Sequence, residues 1–265
     1  MAIGLMIIGD EILSGKRQDQ HLPKLISLLK ARGLQLGWAE LVGDERSRIT
    51  ASLRKSFASG DIVFSCGGIG ATPDDHTRQC AASALGLELV LHQEAKQLIQ
   101  ARICKMAQDE GKVADLNSAE NLQRLKMGEF PQGAQLVPNA FNTIPGFAIQ
   151  SHYFLPGFPQ MAGPMMEWVL DTHYAASFHQ TAWQEKSLIV YEVAESALTP
   201  LMEQIELDFP LVKVFSLPSV GNEITPRRHI ELGVKGEPQQ VQAAFEVMLQ
   251  GLLPFQAEYT ILDSQ

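Results

Sequence analysis

Cysteine is scarce in this chain of 265 residues, and the three present, Cys66, Cys80 and Cys104, have no Cys-x-x-Cys spacing. An odd, sparse set excludes a disulfide framework and a zinc ribbon and points to a reducing compartment. Long apolar runs are also missing. The longest stretch free of Asp, Glu, Lys and Arg, Phe130–Met166, is interrupted by Pro and Gly, which excludes a membrane helix there. Residues 1–8 are apolar but meet Asp10 and Glu11 at once, too short and without the basic flank of a signal peptide. The expectation is a cytoplasmic protein with no membrane partner. The seven histidines show no metal-ligand spacing, and there are no internal repeats and no low-complexity tract.

Positive charge is in short supply as well. The net charge is −9, and it is unevenly spread. Up to Thr172 there are 16 basic against 18 acidic residues, whereas from His173 onward there are 5 against 12. A segment that acidic repels a nucleic-acid backbone, so no nucleic-acid partner is expected.

The first half instead alternates strand and helix signals. A buried-strand run at Ile3–Ile8 ends at Gly9, and a helical stripe follows at Leu22, Leu25, Ile26, Leu28 and Leu29. Leu34–Val42 predicts a second strand, and Ile49, Leu53 and Phe57 a second helix. Asp61–Ser65 predicts a third strand, closed by a Gly-rich loop and a helix over Asp75–Leu85. This rhythm implies α/β architecture: a parallel sheet between two helical layers, with ligands bound outside the carboxyl ends of its strands. Glu94–Arg124 predicts two helices or a mobile helical excursion, Phe130–Pro164 short strands, and Pro164–Tyr174 a closing helix. Beyond a weak junction at about Ala175–Glu185, the pattern β-α-β-β-α predicts a small two-layer α+β domain. The expected division is residues 1–174 and 185–265.

The segment Cys66-Gly67-Gly68-Ile69-Gly70-Ala71-Thr72-Pro73-Asp74-Asp75-His76-Thr77 is the most specific in the chain. Glycines after a buried strand let the backbone turn tightly and approach a ligand, and amides ahead of a helix favour an anion such as phosphate. Asp74 and Asp75 then suit a divalent cation or a catalytic base; the alternative is a helix cap and a charge favouring the helix dipole. Two other phosphate motifs do not fit. Gly9 and Gly15-Lys16 lack the spacing of a Walker A loop, and Pro73 follows Gly68-x-Gly70 where a dinucleotide fingerprint needs another glycine.

Ile8-Gly9-Asp10-Glu11-Ile12-Leu13-Ser14-Gly15 resembles the opening motif of the CinA-type branch of the molybdopterin-binding (MoaB/Mog-like) superfamily. Gly67–Thr77 is similar to its central glycine motif, and Asn142–Gly146 and Leu155–Pro159 are similar to its later Pro-Gly loops. The four appear in order across about three-fifths of the chain. The resemblance implies a three-layer MoaB/Mog-like domain that binds a molybdopterin or nucleotide phosphate, and homo-oligomers. In some members it implies hydrolysis of ADP-ribose or FAD pyrophosphate assisted by Mg, Mn or Co. It implies that Gly67, Gly68, Gly70 and Thr72 cradle phosphate, and that Asp74 and Asp75 serve metal and catalysis. Asp10, Glu11 and Ser14 would line the facing wall, with Pro156 and Gly157 at the far rim.

The chain departs from that pattern at four places. Ala71 replaces a usual Pro, His21 a usual Asn, Asn142 a usual Gly, and Met161 a usual Glu. The missing rim carboxylate weakens the case for hydrolysis more than the case for binding. No deamidase domain follows, so amide hydrolysis of a pyridine nucleotide is not expected. The second domain resembles a small KH-like module, although its Gly233-Val234-Lys235-Gly236 is expected to form a turn between strand and helix.

Overall fold

Strand β1 (Ile3–Ile8) is buried along its whole length, as expected of a central strand whose two faces are both covered. The computed structural model describes residues 2–180, 184–221 and 226–262. Two compact units result, Met1–Phe178 and His179–Gln265; residues 181–183 of the expected junction lie outside the described residues.

In the first unit, β1 is followed by a one-turn helix α1 (Asp10–Leu13), helix α2 (His21–Lys30), strand β2 (Trp38–Val42), helix α3 (Arg46–Ser59) and strand β3 (Ile62–Cys66). Then come helix α4 (Thr77–Leu85), strand β4 (Leu89–Leu91), helices α5 (Gln93–Asp109) and α6 (Ala119–Leu125), and strands β5 (Glu129–Pro131), β6 (Gln135–Val137), β7 (Gly146–Ile149) and β8 (His152–Leu155). Helix α7 (Pro159–His173) closes the unit. The main sheet has the order β2-β1-β3-β8-β7-β6, and β4 pairs with β5 as a separate ribbon.

Strands β2, β1, β3 and β8 are mutually parallel. The expected parallel sheet is thus present, and strand β7, antiparallel to β8 and β6, makes it mixed at one side. The cause is local. Only Gln150 and Ser151 separate β7 from β8, and a link that short joins antiparallel strands only; Gln150 takes the positive φ (52°) of such a turn.

Alternation along β1 divides the core. Ile3, Leu5 and Ile7 pack with Leu25, Leu28 and Leu29 of α2 and with Met165, Met166, Val169 and Leu170 of α7. Met6 and Ile8 face the opposite layer, with Ile49 and Leu53 of α3 and Cys80 and Ala81 of α4. Ile26, expected on the buried stripe of α2, is 46% exposed, and His21 is buried in that helix instead. Helix α7 begins at Pro159, earlier than the expected Pro164. A proline at the first helical position loses no hydrogen bond, so it starts the helix readily.

The second unit pairs β9 (Gln184–Tyr191), β10 (Val212–Ser219), β11 (His229–Gly236) and β12 (Tyr259–Ile261) in the order β10-β11-β9-β12, all antiparallel. Its helices, α8 (Glu195–Asp208) and α9 (Pro238–Leu252), share one core with the sheet through Leu198, Ile205, Val241, Phe245 and Met248. Gly233-Val234-Lys235-Gly236 is not a turn. It lies inside β11, and a Cβ on Gly233 would stand 2.3 Å from the ring of Phe215, its cross-strand partner.

Candidate functional site

Because β2 and β3 flank β1 on opposite sides, the chain reverses its direction of travel across the sheet at β1. In open α/β sheets ligands bind at such a switch point, beyond the carboxyl ends of the strands. Three loops emerge there: Gly9 after β1, Gly67 after β3 and Pro156 after β8.

The glycine loop is held from below. The Gly67 amide donates to the Leu155 carbonyl (3.0 Å), and a Cβ on Gly67 would sit 2.1 Å from the Ile8 carbonyl oxygen, at φ +107°. Only glycine fits this contact between three strand ends. The Gly67 carbonyl accepts from the Thr77 hydroxyl (2.9 Å) and the Gly68 carbonyl from the Thr77 amide (3.0 Å). The Gly70 carbonyl accepts from the Arg78 guanidinium (2.6 Å), and the Ala71 carbonyl from the Gln123 amide (2.7 Å). A trans peptide points its N–H opposite to its C=O. Fixing these four carbonyls on one side therefore turns the amides of Gly68, Ile69, Ala71 and Thr72 to the other. Of these, the Thr72 amide donates to the Asp75 carboxylate, and among the described residues those of Gly68, Ile69 and Ala71 have no acceptor. Successive outward amides form an anion-binding concavity.

Arg78 was not singled out by the sequence. It is 2% exposed, and burial works against its charge, the carbonyls of Gly70 and Lys126 accepting its protons. A signal was available: a cation in the first turn of a helix opposes the helix dipole, so Arg78 at the start of α4 invites a reason.

The acidic residues form a rim. Asp74 and Asp75 were expected at the start of the helix; they instead precede α4, whose N-cap is His76. The Asp75 amide closes a turn onto the Thr72 carbonyl, and its carboxylate accepts from both the amide (2.8 Å) and the hydroxyl of Thr72. These bonds commit one Asp75 oxygen to the loop and keep the helix from extending backwards. On the facing loop, the Asp10 amide donates to the Asp44 carboxylate (2.9 Å), and the Asp44 amide donates back to Asp10 (3.2 Å). Burial raises the Asp44 carboxyl above its ordinary value. The charges of Asp10, Glu11 and Asp74 push the same way, opposed by the hydrogen bond from Asp10. The loops after β1, β2 and β3 thus share one field. Among the described residues, no three His, Cys, Asp or Glu are grouped to hold a metal ion, so the acids do not form a preassembled metal site.

The remaining expected residues are spread along the same edge. Gly157 stands against Gly67, whose Cα is 3.4 Å from where a Gly157 Cβ would lie; Pro156 is half-buried, and Ser14 is exposed just past α1. A pocket of about 60 Å³ adjoins Cys66 and Gly157 and is lined by Glu11, Arg17, Gln18, Gln20 and His21. A more open groove of about 460 Å³ lies on the other side of α1, between Asp10, Glu40, Glu45 and Arg48. Cys66 is fully buried and its thiol is pushed up by that burial, which suits it to packing and not to nucleophilic attack.

A family described as "Probable molybdopterin binding domain" matches residues 4–175, which contain all three loops. The chain belongs to that molybdopterin-binding domain family. A CinA-like protein of Syntrophotalea carbinolica is 30% identical over 227 residues, which is 80% of this chain and 53% of that protein. A CinA-like protein of Anaeromyxobacter sp. (strain K) is 32% identical over 211 residues, 77% of this chain and 49% of that protein. The chain therefore spans about half the length of the curated CinA-like relatives it matches. Among solved structures, a crystal structure of the protein CinA with unknown function from Thermoplasma acidophilum is 26% identical, with a TM-score of 0.54 over 64% of this chain and 96% of that one. The MoaB/Mog-like fold expected for the first domain is the fold of this unit. Among the described residues no helix is long and apolar enough to cross a membrane.

Proposed function

We propose that the carboxyl-edge loops of the first unit bind a small phosphate-bearing ligand, a molybdopterin or a nucleotide, through the outward amides of Gly68, Ile69 and Ala71. The observation that carries this reading is the inward anchoring of three carbonyls, Gly67, Gly68 and Gly70, whose peptides carry those amides. It fixes the amide directions before a ligand arrives, so little ordering entropy opposes binding. The buried guanidinium of Arg78 supplies positive charge beneath the loop, and α4 presents its N-terminus in the same direction. Membership of a molybdopterin-binding family supports the pterin class of ligand.

Arg78→Met tests the arrangement. Losing the guanidinium leaves the Gly70 and Lys126 carbonyls without a donor and frees the loop. Titration calorimetry with inorganic pyrophosphate should show at least a tenfold weaker affinity, with a stability loss of about 2 kcal/mol in denaturant melts. Unchanged pyrophosphate affinity in a folded Arg78→Met protein would overturn the loop as the anion site.

A second reading, metal-assisted pyrophosphate hydrolysis, is favoured by one observation: the raised Asp44 carboxyl in the field of Asp10, Glu11 and Asp74. A phosphate beside such a rim is repelled unless a cation lies between them. Among the described residues no ligand set is assembled by the protein alone, so Mg, Mn or Co would be held jointly by phosphate oxygens and the carboxylates of Asp74 and Asp75, the pattern Mg²⁺ favours. This reading requires pyrophosphate binding to tighten with added metal ion, followed by release of phosphate.

A further inference from the structure

The segment between α1 and α2 carries a second constellation, beside the glycine loop. Asp19 accepts hydrogen bonds from the His21 amide (2.9 Å), the Leu22 amide (2.9 Å) and His21 Nδ1 (2.8 Å). Burial works against the Asp19 charge, but these bonds hold its carboxyl below the ordinary carboxylate value, so it is ionised and only accepts. The Nδ1 atom of His21 then carries a proton toward Asp19, which leaves Nε2 as the ring's other hydrogen-bonding atom. His21 is 5% exposed, and its Nε2 is buried with no partner among the described residues. A buried ring nitrogen without a partner costs stability. Capping α2 would not require it, because Asp19 already satisfies the amides.

His21 lines the 60 Å³ pocket with Arg17, Gln18 and Gln20, over a floor that includes Ile7 and Cys66. The pocket opens next to the phosphate loop, because Cys66 directly precedes Gly67 and Gly157 borders both. Its polar wall offers Nε2 of His21 and the Glu11 carboxylate as acceptors, donors from Arg17, and amides that do either. A water needs at least about 10–15 Å³, so the pocket admits a few hydroxyl-sized groups and not a two-ring heterocycle.

Resting on the phosphate-loop reading above, we propose that this pocket is a hydroxyl-recognition subsite: His21, oriented by Asp19, accepts a hydrogen bond at Nε2 from a sugar hydroxyl of the ligand whose phosphate lies on the glycine loop. The ligand class is thereby narrowed to sugar phosphates, nucleotides included. Asp19 is a positioning residue, acting through the ring it orients.

The test compares three probes by titration calorimetry: inorganic phosphate, ribose 5-phosphate, and its hydroxyl-free counterpart, tetrahydrofurfuryl phosphate. The wild-type protein should bind ribose 5-phosphate about tenfold more tightly than the hydroxyl-free compound. His21→Asn, whose amide reaches only the Nδ1 position, should erase that difference and still bind inorganic phosphate. His21→Gln, whose amide reaches the Nε2 position, should restore part of it. Should the variants fail to fold, the ¹⁵N signal of Nε2 in the wild-type protein decides: it should move with ribose 5-phosphate and not with inorganic phosphate. Phosphate binding with no preference between the two sugar compounds, or an Nε2 signal indifferent to ribose 5-phosphate, overturns the subsite and leaves the loop reading standing. Failure of all three probes to bind overturns both.

Discussion

The two halves of the site are built on opposite terms. From Gly67 to Ala71 the backbone is pinned at four carbonyls, by Thr77, Arg78 and Gln123, and by a glycine contact that admits no side chain. The rim of Asp10, Glu11, Asp44, Asp74 and Asp75 is more exposed, and at Asp44 burial first, with the charges of Asp10, Glu11 and Asp74 adding to it, raises the carboxyl above its ordinary value. A rigid donor surface and a strained acidic border together suit a ligand that is itself anionic and arrives with a cation. The pinned half belongs to the fold and the rim to the ligand, which implies that substitutions in the first cost stability and those in the second mainly change binding.

The largest effect is expected at Gly67. Its Cβ would lie 2.1 Å from the Ile8 carbonyl oxygen, a backbone atom that cannot swing aside, and φ of +107° strains any L-residue. Gly67→Ala should cost about 3 kcal/mol of unfolding free energy, read from denaturant midpoints. An unaltered midpoint would mean that the loop is looser than its contacts indicate, and the contrast with the rim would collapse.

A smaller effect sharpens the comparison within the pinned half. Ala71 stands where the CinA-type pattern has proline, so this chain has an N–H there that proline lacks. The Gly70 carbonyl of the same peptide is held by Arg78, which turns the Ala71 amide to the opposite side. Ala71→Pro should leave the melting midpoint nearly unchanged and weaken pyrophosphate binding roughly fivefold, the loss of one hydrogen bond to a charged acceptor. Equal affinity in calorimetry would remove Ala71 from the amide set.

Much of this arrangement is legible in the chain itself, and the reasons for the exceptions are physical. The runs of β1 and β3 are legible because strands covered on both faces are mostly apolar, with Ser65 of β3 the buried polar exception. The glycine motif marks a backbone conformation, and such conformations leave a local signature. Strand β7 escaped because the direction of a four-residue strand depends on the two-residue link after it, not on its own pattern. Arg78 and Gln123 escaped because their role exists only after folding brings α4 and α6 under the loop; they lie 8 and 52 residues from the carbonyls they hold. The Asp19–His21 pair is adjacent in sequence, yet nothing in its spacing shows that Nε2 would be buried without a partner. The start of α4 was displaced because the Thr72 bonds to Asp75 compete with helix formation, and a proline at position 73 favours the turn.

The smallest effect concerns the rim and tests whether it acts as a unit. Because the folded Asp44 carboxyl is raised above its ordinary value of 3.8, the folded protein takes up that proton before the unfolded chain does as pH falls. Ionised Asp44 therefore costs the fold something at neutral pH, and the cost disappears as pH drops through the folded value. Asp44→Asn keeps an oxygen to accept from the Asp10 amide but removes the charge. It should be more stable than the wild type by about half a kcal/mol at pH 7, a modest figure because the group is partly exposed. The difference should shrink towards zero by pH 3.8 and also shrink with added salt, which screens Asp10, Glu11 and Asp74. Addition of Mg²⁺ with pyrophosphate should reverse the order, since the wild type then gains a bridging cation that the variant holds less well. A stability difference that is flat from pH 7 to 4 would show that Asp44 does not feel its neighbours, and the acidic rim would then be separate surface carboxylates with no common task.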